Sequence, residues 1–283
     1  MNGKAMKKVL LIAAIVLAGC EKVVIEDAAG LTDREQNVVL RVSVGDRATR
    51  GDVALSEVCG RLNVAVFDNS GAKVKTVGQA VGDAGFGTVA LAITPGTYTL
   101  VAVAHNGTGA ATITSEEKVT FPNNKVTDTF YYYGKIVATD EKQDVAVAME
   151  RSVAMLKLSL TGSSLRSDIS RLKFYYLGGS STFSPRDGFG CVNSKQTEYR
   201  AWSEDGVYEL YTMPHEVNDV LTKLTVTALD AGDNEVGEAE LVNIPVTMNR
   251  VTNYAGDIFS GGGSVTAEIK VDPTWAGVDD YSF

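Results

Sequence analysis

The sequence predicts an all-β protein built of two β-sandwich domains in tandem. Three observations carry this. Nowhere in the 283 residues does a helical spacing of apolar residues persist for three turns, whereas many short runs alternate apolar and polar side chains, as a half-buried strand does. These runs are separated by clusters of Gly, Pro, Asn, Asp and Ser, the residues that close turns. The pattern also comes in two blocks: it lapses at Glu150-Arg151 and restarts at Val153. That divides the folded part into 37–149 and 150–283, each long enough for its own core.

Residues 1–19 precede both blocks and read as a secretory signal peptide. Lys4, Lys7 and Lys8 lead into an uncharged apolar run, 9–18, which is too short to span a membrane, since a helical span needs ~20 residues. Leu17-Ala18-Gly19-Cys20 is similar to the lipobox of bacterial lipoproteins, in which the cysteine thiol is acylated and the peptide is cut before it. Cys20 is therefore expected to carry the lipid and to begin the mature chain, tethering it to a membrane. A soluble secreted protein is the alternative. Residues 20–36 are polar and small with no period of either kind, and read as the tether between membrane and fold.

Removing the signal peptide removes three lysines and no acid, so the formal charge moves from −9 to −12. An acidic chain of this kind gives no electrostatic case for binding nucleic acid or anionic lipid, both of which need clustered Lys and Arg. Beyond Cys20 only Cys59 and Cys191 remain. Two cysteines make no disulfide framework; they are expected to be small buried or half-buried hydrophobes in different domains, although an exported protein permits a bridge.

The first strand is expected at 37–44, where Val38, Leu40, Val42 and Val44 share one face. Next comes Gly45-Asp46-Arg47-Ala48-Thr49-Arg50-Gly51-Asp52, a run without apolar bulk that reads as an exposed connection, the kind of place proteases cut. Strands follow at 61–67, ending on Asp68-Asn69-Ser70-Gly71, and at 88–93 and 97–104, which flank Thr94-Pro95-Gly96 and read as a hairpin. The first block closes with strands at 117–121, 127–137 and 144–149. The second has strands at 153–160, 171–177, 207–213, 223–229, 238–246 and 264–271. Short helices are candidates at 52–59 and 215–221, and Gly261-Gly262-Gly263 reads as a loose turn, because a phosphate cradle needs a helix directly after it.

The inventory for catalysis is thin, and the chain is not expected to be an enzyme or to hold a cofactor. His105 and His215 are the only histidines, and they form no zinc-ligand pair. No nucleophile elbow occurs. Asp230, Asp233, Asn234 and Glu235 lack the loop length and closing glutamate of a calcium site and read as a solvated hairpin turn. Tyr131, Tyr132 and Tyr133 suit either sugar stacking or packing on both faces of a strand with their hydroxyls reaching water, and the second is the plainer reading. Arg50-Gly51-Asp52 spells a tripeptide that some adhesive proteins use, and three residues alone carry no argument.

Several stretches, in order, resemble the fimbrillin superfamily, the subunits and anchors of type V fimbriae of Gram-negative gut and oral anaerobes. They are the lipobox at Cys20; Arg47-Ala48-Thr49-Arg50-Gly51 after an early strand; Leu62-Asn63-Val64-Ala65-Val66-Phe67-Asp68; Pro95-Gly96-Thr97-Tyr98-Thr99-Leu100-Val101-Ala102; Met149-Glu150-Arg151-Ser152-Val153-Ala154-Met155-Leu156; and Ile244-Pro245-Val246-Thr247-Met248-Asn249-Arg250, with Trp275 near the end. The resemblance implies two transthyretin-like sandwiches on an outer-membrane lipoprotein. It also implies assembly with other fimbrial subunits: an arginine-specific protease cuts at Arg50 or Arg47, the strand bearing Val38, Leu40, Val42 and Val44 leaves, and a neighbour's C-terminal region, 265–283, fills the groove. Both arginines favour a stalk or tip subunit. A lipid-retaining anchor and a glycan-binding surface lipoprotein are the alternatives, the second recognisable by an exposed aromatic platform. The host ligand is not legible.

Overall fold

A computed structural model describes residues 36–46, 51–259, 275 and 278–280. Cys20, Arg47, Arg50, the triple glycine and the strand expected at 264–271 lie outside the described residues.

In chain order the first ten strands are β1 (Val38–Asp46), β2 (Gly51–Ala54), β3 (Arg61–Phe67), β4 (Lys73–Ala80), β5 (Thr88–Leu91), β6 (Gly96–His105), β7 (Thr112–Ser115), β8 (Lys118–Thr120), β9 (Thr129–Ala138) and β10 (Gln143–Arg151). Nine more follow: β11 (Ala154–Leu160), β12 (Arg171–Leu177), β13 (Thr182–Phe183), β14 (Lys195–Ala201), β15 (Val207–Thr212), β16 (Asn218–Leu229), β17 (Glu235–Thr247), β18 (Val251–Gly256) and β19 (Val278–Asp280). The all-β expectation holds. Among the described residues one α-helix, α1 (Leu55–Val58), falls inside the expected 52–59 and buries Leu55. No helix forms at 215–221: Asp219 accepts the His215 backbone N–H at 2.7 Å and its ring Nδ1 at 2.8 Å, fixing a turn from which β16 starts.

Strand β10 joins two leaves of one sheet. It pairs in parallel with β1 over Gln143–Met149, then meets β9 through Glu150 and Arg151, and from β9 the order runs β6, β3, β4. Glu150-Arg151 thus ends a strand. Between the leaves lies a first core, in which Leu40 and Val42 of β1 meet Leu62 and Val64 of β3 and Leu100 of β6. Strands β3 and β6 are buried on both faces, Ala65, Phe67, Val101 and Val103 entering another core, which explains their unbroken apolar runs. The turn at Thr94-Pro95-Gly96 closes no hairpin. Strand β5 pairs with β1, and β6 pairs with β3 and β9, so the turn carries the chain from one leaf to the other. Tyr98 pins it, its hydroxyl donating to the Thr94 carbonyl at 3.0 Å.

After β10, sheets β15-β11-β18-β19 and β14-β12-β16-β17 enclose a second core around Leu156, Phe174 and Leu224. A third core sits under the small sheet β13-β8-β7 and draws on both blocks, with Phe67, Val101 and Val119 against Met155, Phe183 and Met213. All of this lies within one compact unit from Glu35 onward.

Candidate functional site

Strand β1 is an inner strand with a partner on each edge. Seven residues, Val38 to Val44, pair with β10; on the other side Val38–Arg41 pair with β5, and Ser43–Asp46 with β2. Where β5 gives way to β2, the Val42 N–H donates to the Gly87 carbonyl at 2.8 Å. Gly87 has φ +88°, a left-handed conformation that suits glycine and lets the backbone pass close to β1. The alternation read from the sequence is realised: Val38 and Leu40 are fully buried, Val42 and Val44 nearly so, and all four enter the first core. Burying each such side chain stabilises the fold by about 1.5–3 kcal/mol. The outer face carries Arg41, ion-paired with Asp144 at 3.0 Å; both are well exposed and the pair contributes little.

A clamp that the sequence reading missed fixes the start of β1. The buried Asn37 carboxamide donates to the carbonyls of Ile93 (2.9 Å) and Thr139 (2.7 Å) and accepts the Ile93 N–H (3.1 Å), tying the ends of β5 and β9 together. The only signal was a polar residue just before an apolar run. At the other end Asp46 pairs with Gly51, and the candidate Arg47 and Arg50 lie outside the described residues. Gly51 and Asp52 of the adhesive tripeptide lie in a strand.

The remaining candidates scatter. His105 is buried at the end of β6; its Nδ1 accepts the Gly107 N–H at 3.0 Å, and burial, then the nearby Arg61 charge, push its pKa down to about 4. His215 bridges Asp219 and the Val192 carbonyl. Asp230 caps its own turn, accepting the N–H groups of Gly232 and Asn234. Tyr131 and Tyr133 lean on the third core and Tyr132 on the first, the two faces expected. Two of their hydroxyls find protein: Tyr131 donates to the Asp187 carbonyl at 3.2 Å, and Tyr133 to Glu116 at 2.7 Å. Cys59 is buried, its thiol pKa pushed up by burial, whereas Cys191 is exposed, contrary to expectation; both are free thiols. Cys191 lies just past a β-bridge between Phe183 and Gly190, on a loop where no core forms around it. Among the described residues no group of three His, Cys, Asp or Glu is placed to hold a metal ion, and no helix is long and apolar enough to cross a membrane.

Set beside known proteins, the chain superposes on a candidate adhesin from Bacteroides ovatus with a TM-score of 0.56 at 14% identity, covering 84% of this chain and 95% of that one. A candidate polysaccharide-binding protein from Bacteroides thetaiotaomicron gives 0.54 at 10% identity over 86% and 94%. The fimbrial anchor protein Mfa2 from Porphyromonas gingivalis gives 0.41 at 15% identity over 72% and 82%. At these identities the likeness to the first two is one of fold. No curated protein matches the sequence. The family model for the fimbrillin-A associated anchor proteins Mfa1 and Mfa2 matches residues 31–281, nearly the whole chain, and the protein belongs to that family.

Proposed function

We propose that the chain is a stalk or tip subunit of a cell-surface fimbrium, exported as an outer-membrane lipoprotein through Cys20 and assembled by donor-strand exchange once β1 has been removed. In this reading 37–149 and 150–283 are its two sandwich domains. The observation that carries it is the position of β1. A cut at Arg50 or Arg47 severs β1 from β2 in sequence. Loss of β1 then bares the N–H and C=O groups of β10 on one side and of β5 and β2 on the other, above the apolar floor of the first core. Such an edge is a template for a strand from another chain, with main-chain bonds giving affinity and alternate side chains giving register. The donor is the C-terminal region, 265–283, of a neighbouring subunit, and head-to-tail contacts of this kind propagate into a fibre.

A second reading is favoured by the family's own description: an anchor that keeps both its lipid and β1. One digest separates the two. Brief treatment of folded precursor with an arginine-specific protease is expected to give, by mass, a chain starting at Gly51, and light scattering should then show oligomers. A precursor that resists at both arginines and stays on the membrane is an anchor. The glycan-binding alternative requires an aromatic platform. Among the described residues Tyr199 is the large aromatic most open to solvent, with the Arg171 guanidinium 5.0 Å over its ring.

A further inference from the structure

Between the edge strand β14 and the short turn Pro122–Asn124 lies a cavity of about 240 Å³, walled on one side by residues 195–200 and on the other by Asn123, Asn124 and Lys125. Pockets for drug-sized molecules run to about 300–1,000 Å³, so this one suits a single ring-sized unit. Its wall is polar and short of partners. Gln196 is only 6% exposed; its Oε1 accepts from the Tyr176 hydroxyl, while its Nε2 is buried without a hydrogen-bond partner. Tyr176 also reaches Glu198 Oε1 at 2.8 Å, and one hydroxyl proton cannot serve both acceptors. The wall therefore lacks a donor for its acceptors and an acceptor for its amide, and a ligand hydroxyl is both. Charge adds a second demand. Lys125, Lys195 and Arg200 border the cavity with one carboxylate, Glu198, in a chain of formal charge −9. Arg200 is ion-paired with Glu198, and Lys125 Nζ lies 3.8 Å from the same carboxylate, so positive charge is left over and favours an acidic ligand. Tyr199, 53% exposed with the Arg171 guanidinium 5.0 Å over its ring, gives the lining an aromatic surface for the apolar C–H groups of a sugar ring.

We propose that this cavity binds a hexuronate, one acidic sugar unit whose hydroxyls meet Gln196 and Glu198 and whose carboxylate takes the surplus charge of Lys125 and Lys195. A neutral sugar leaves that charge unused, and a bare carboxylate leaves the amide wall unserved. None of the lining residues belongs to β1 or to the strands paired with it. The site and the assembly reading therefore stand or fall separately.

The test titrates the full-length chain with sodium galacturonate and sodium glucuronate, with galactose and glucose as their neutral counterparts and acetate as the bare carboxylate, followed by saturation-transfer NMR and calorimetry. At least one uronate is expected to bind with a Kd of roughly 1 mM, about tenfold tighter than its neutral counterpart, the worth of one charge-assisted hydrogen bond. Lys195→Ala, which alters an exposed side chain, should fold as wild type and lose most of that preference. Gln196→Leu should weaken the uronate and the neutral sugar alike by about tenfold; should that variant fail to fold, the Lys195→Ala result decides. No uronate binding at about 50 mM, a concentration well above that Kd, overturns the proposal. So does a uronate bound no more tightly than its neutral counterpart or than acetate, or a preference that survives the loss of both Lys125 and Lys195.

Discussion

Arg151 shows how much one side chain holds here. It is almost fully buried, ion-paired with Asp128 and sandwiched between Phe130 and Trp275. Arg151→Ala strands the Asp128 carboxylate in a half-closed site and is expected to cost about 3 kcal/mol in urea unfolding. Arg151→Lys should cost about half as much, because an ammonium keeps the charge and loses both the fork and the flat stacking face. His105 makes the fold sensitive to acid. The unfolded ring protonates below about pH 6.5, while the buried one resists to about 4, so the folded state loses stability as pH falls through that window. The loss reaches roughly 3 kcal/mol at its lower end. Urea midpoints at pH 7.5 and 4.5 should differ less for His105→Gln than for wild type.

At the scale of the element, β1 separates its two faces energetically. Leu40→Ala removes a fully buried side chain from the first core and is expected to cost about 2–5 kcal/mol in urea unfolding, whereas Arg41→Ala, on the outer face, should cost less than about 0.5 kcal/mol. Period-two alternation made this strand legible, because Val38, Leu40, Val42 and Val44 sit on one side of any strand whatever its neighbours. The neighbours themselves were not legible. Alternation states which face is buried and is silent on which edge pairs with what, so the parallel partnership with β10 and the Asn37 clamp came only from the fold. The same silence explains the Pro95-Gly96 turn, since a Pro-Gly pair stops one strand and starts another equally well in a hairpin and in a crossing between leaves. Strands β4 and β14 escaped notice for a different reason. They are edges: β4 has no buried residue and carries Lys73 and Lys75, and β14 turns Gln196, Glu198 and Arg200 inward. Charges so placed guard an open edge and erase the apolar signature of a strand.

At the scale of the whole molecule, the two blocks share structure. Strand β13 of the second pairs with β8 of the first, Thr182 opposite Thr120 and Phe183 opposite Val119, and Phe183 stacks at 6.1 Å on Phe121. The third core therefore couples the blocks, and a single urea transition is expected, with tryptophan fluorescence and near-ultraviolet circular dichroism coinciding. Phe183→Ala should cost about 3–5 kcal/mol and separate the two probes. The lapse in alternation at Glu150-Arg151 concealed that these residues continue a strand, because a change of partner within one strand leaves no mark on its periodicity. The parallel register of β1 on β10 has a last consequence. A segment that inherits β1's contacts must thread N- to C-terminus in β1's own direction, or it forfeits the spacing of every backbone partner on both sides. On the proposed strand exchange, each added copy would face the same way as the one before, and the filament would have distinct front and rear ends.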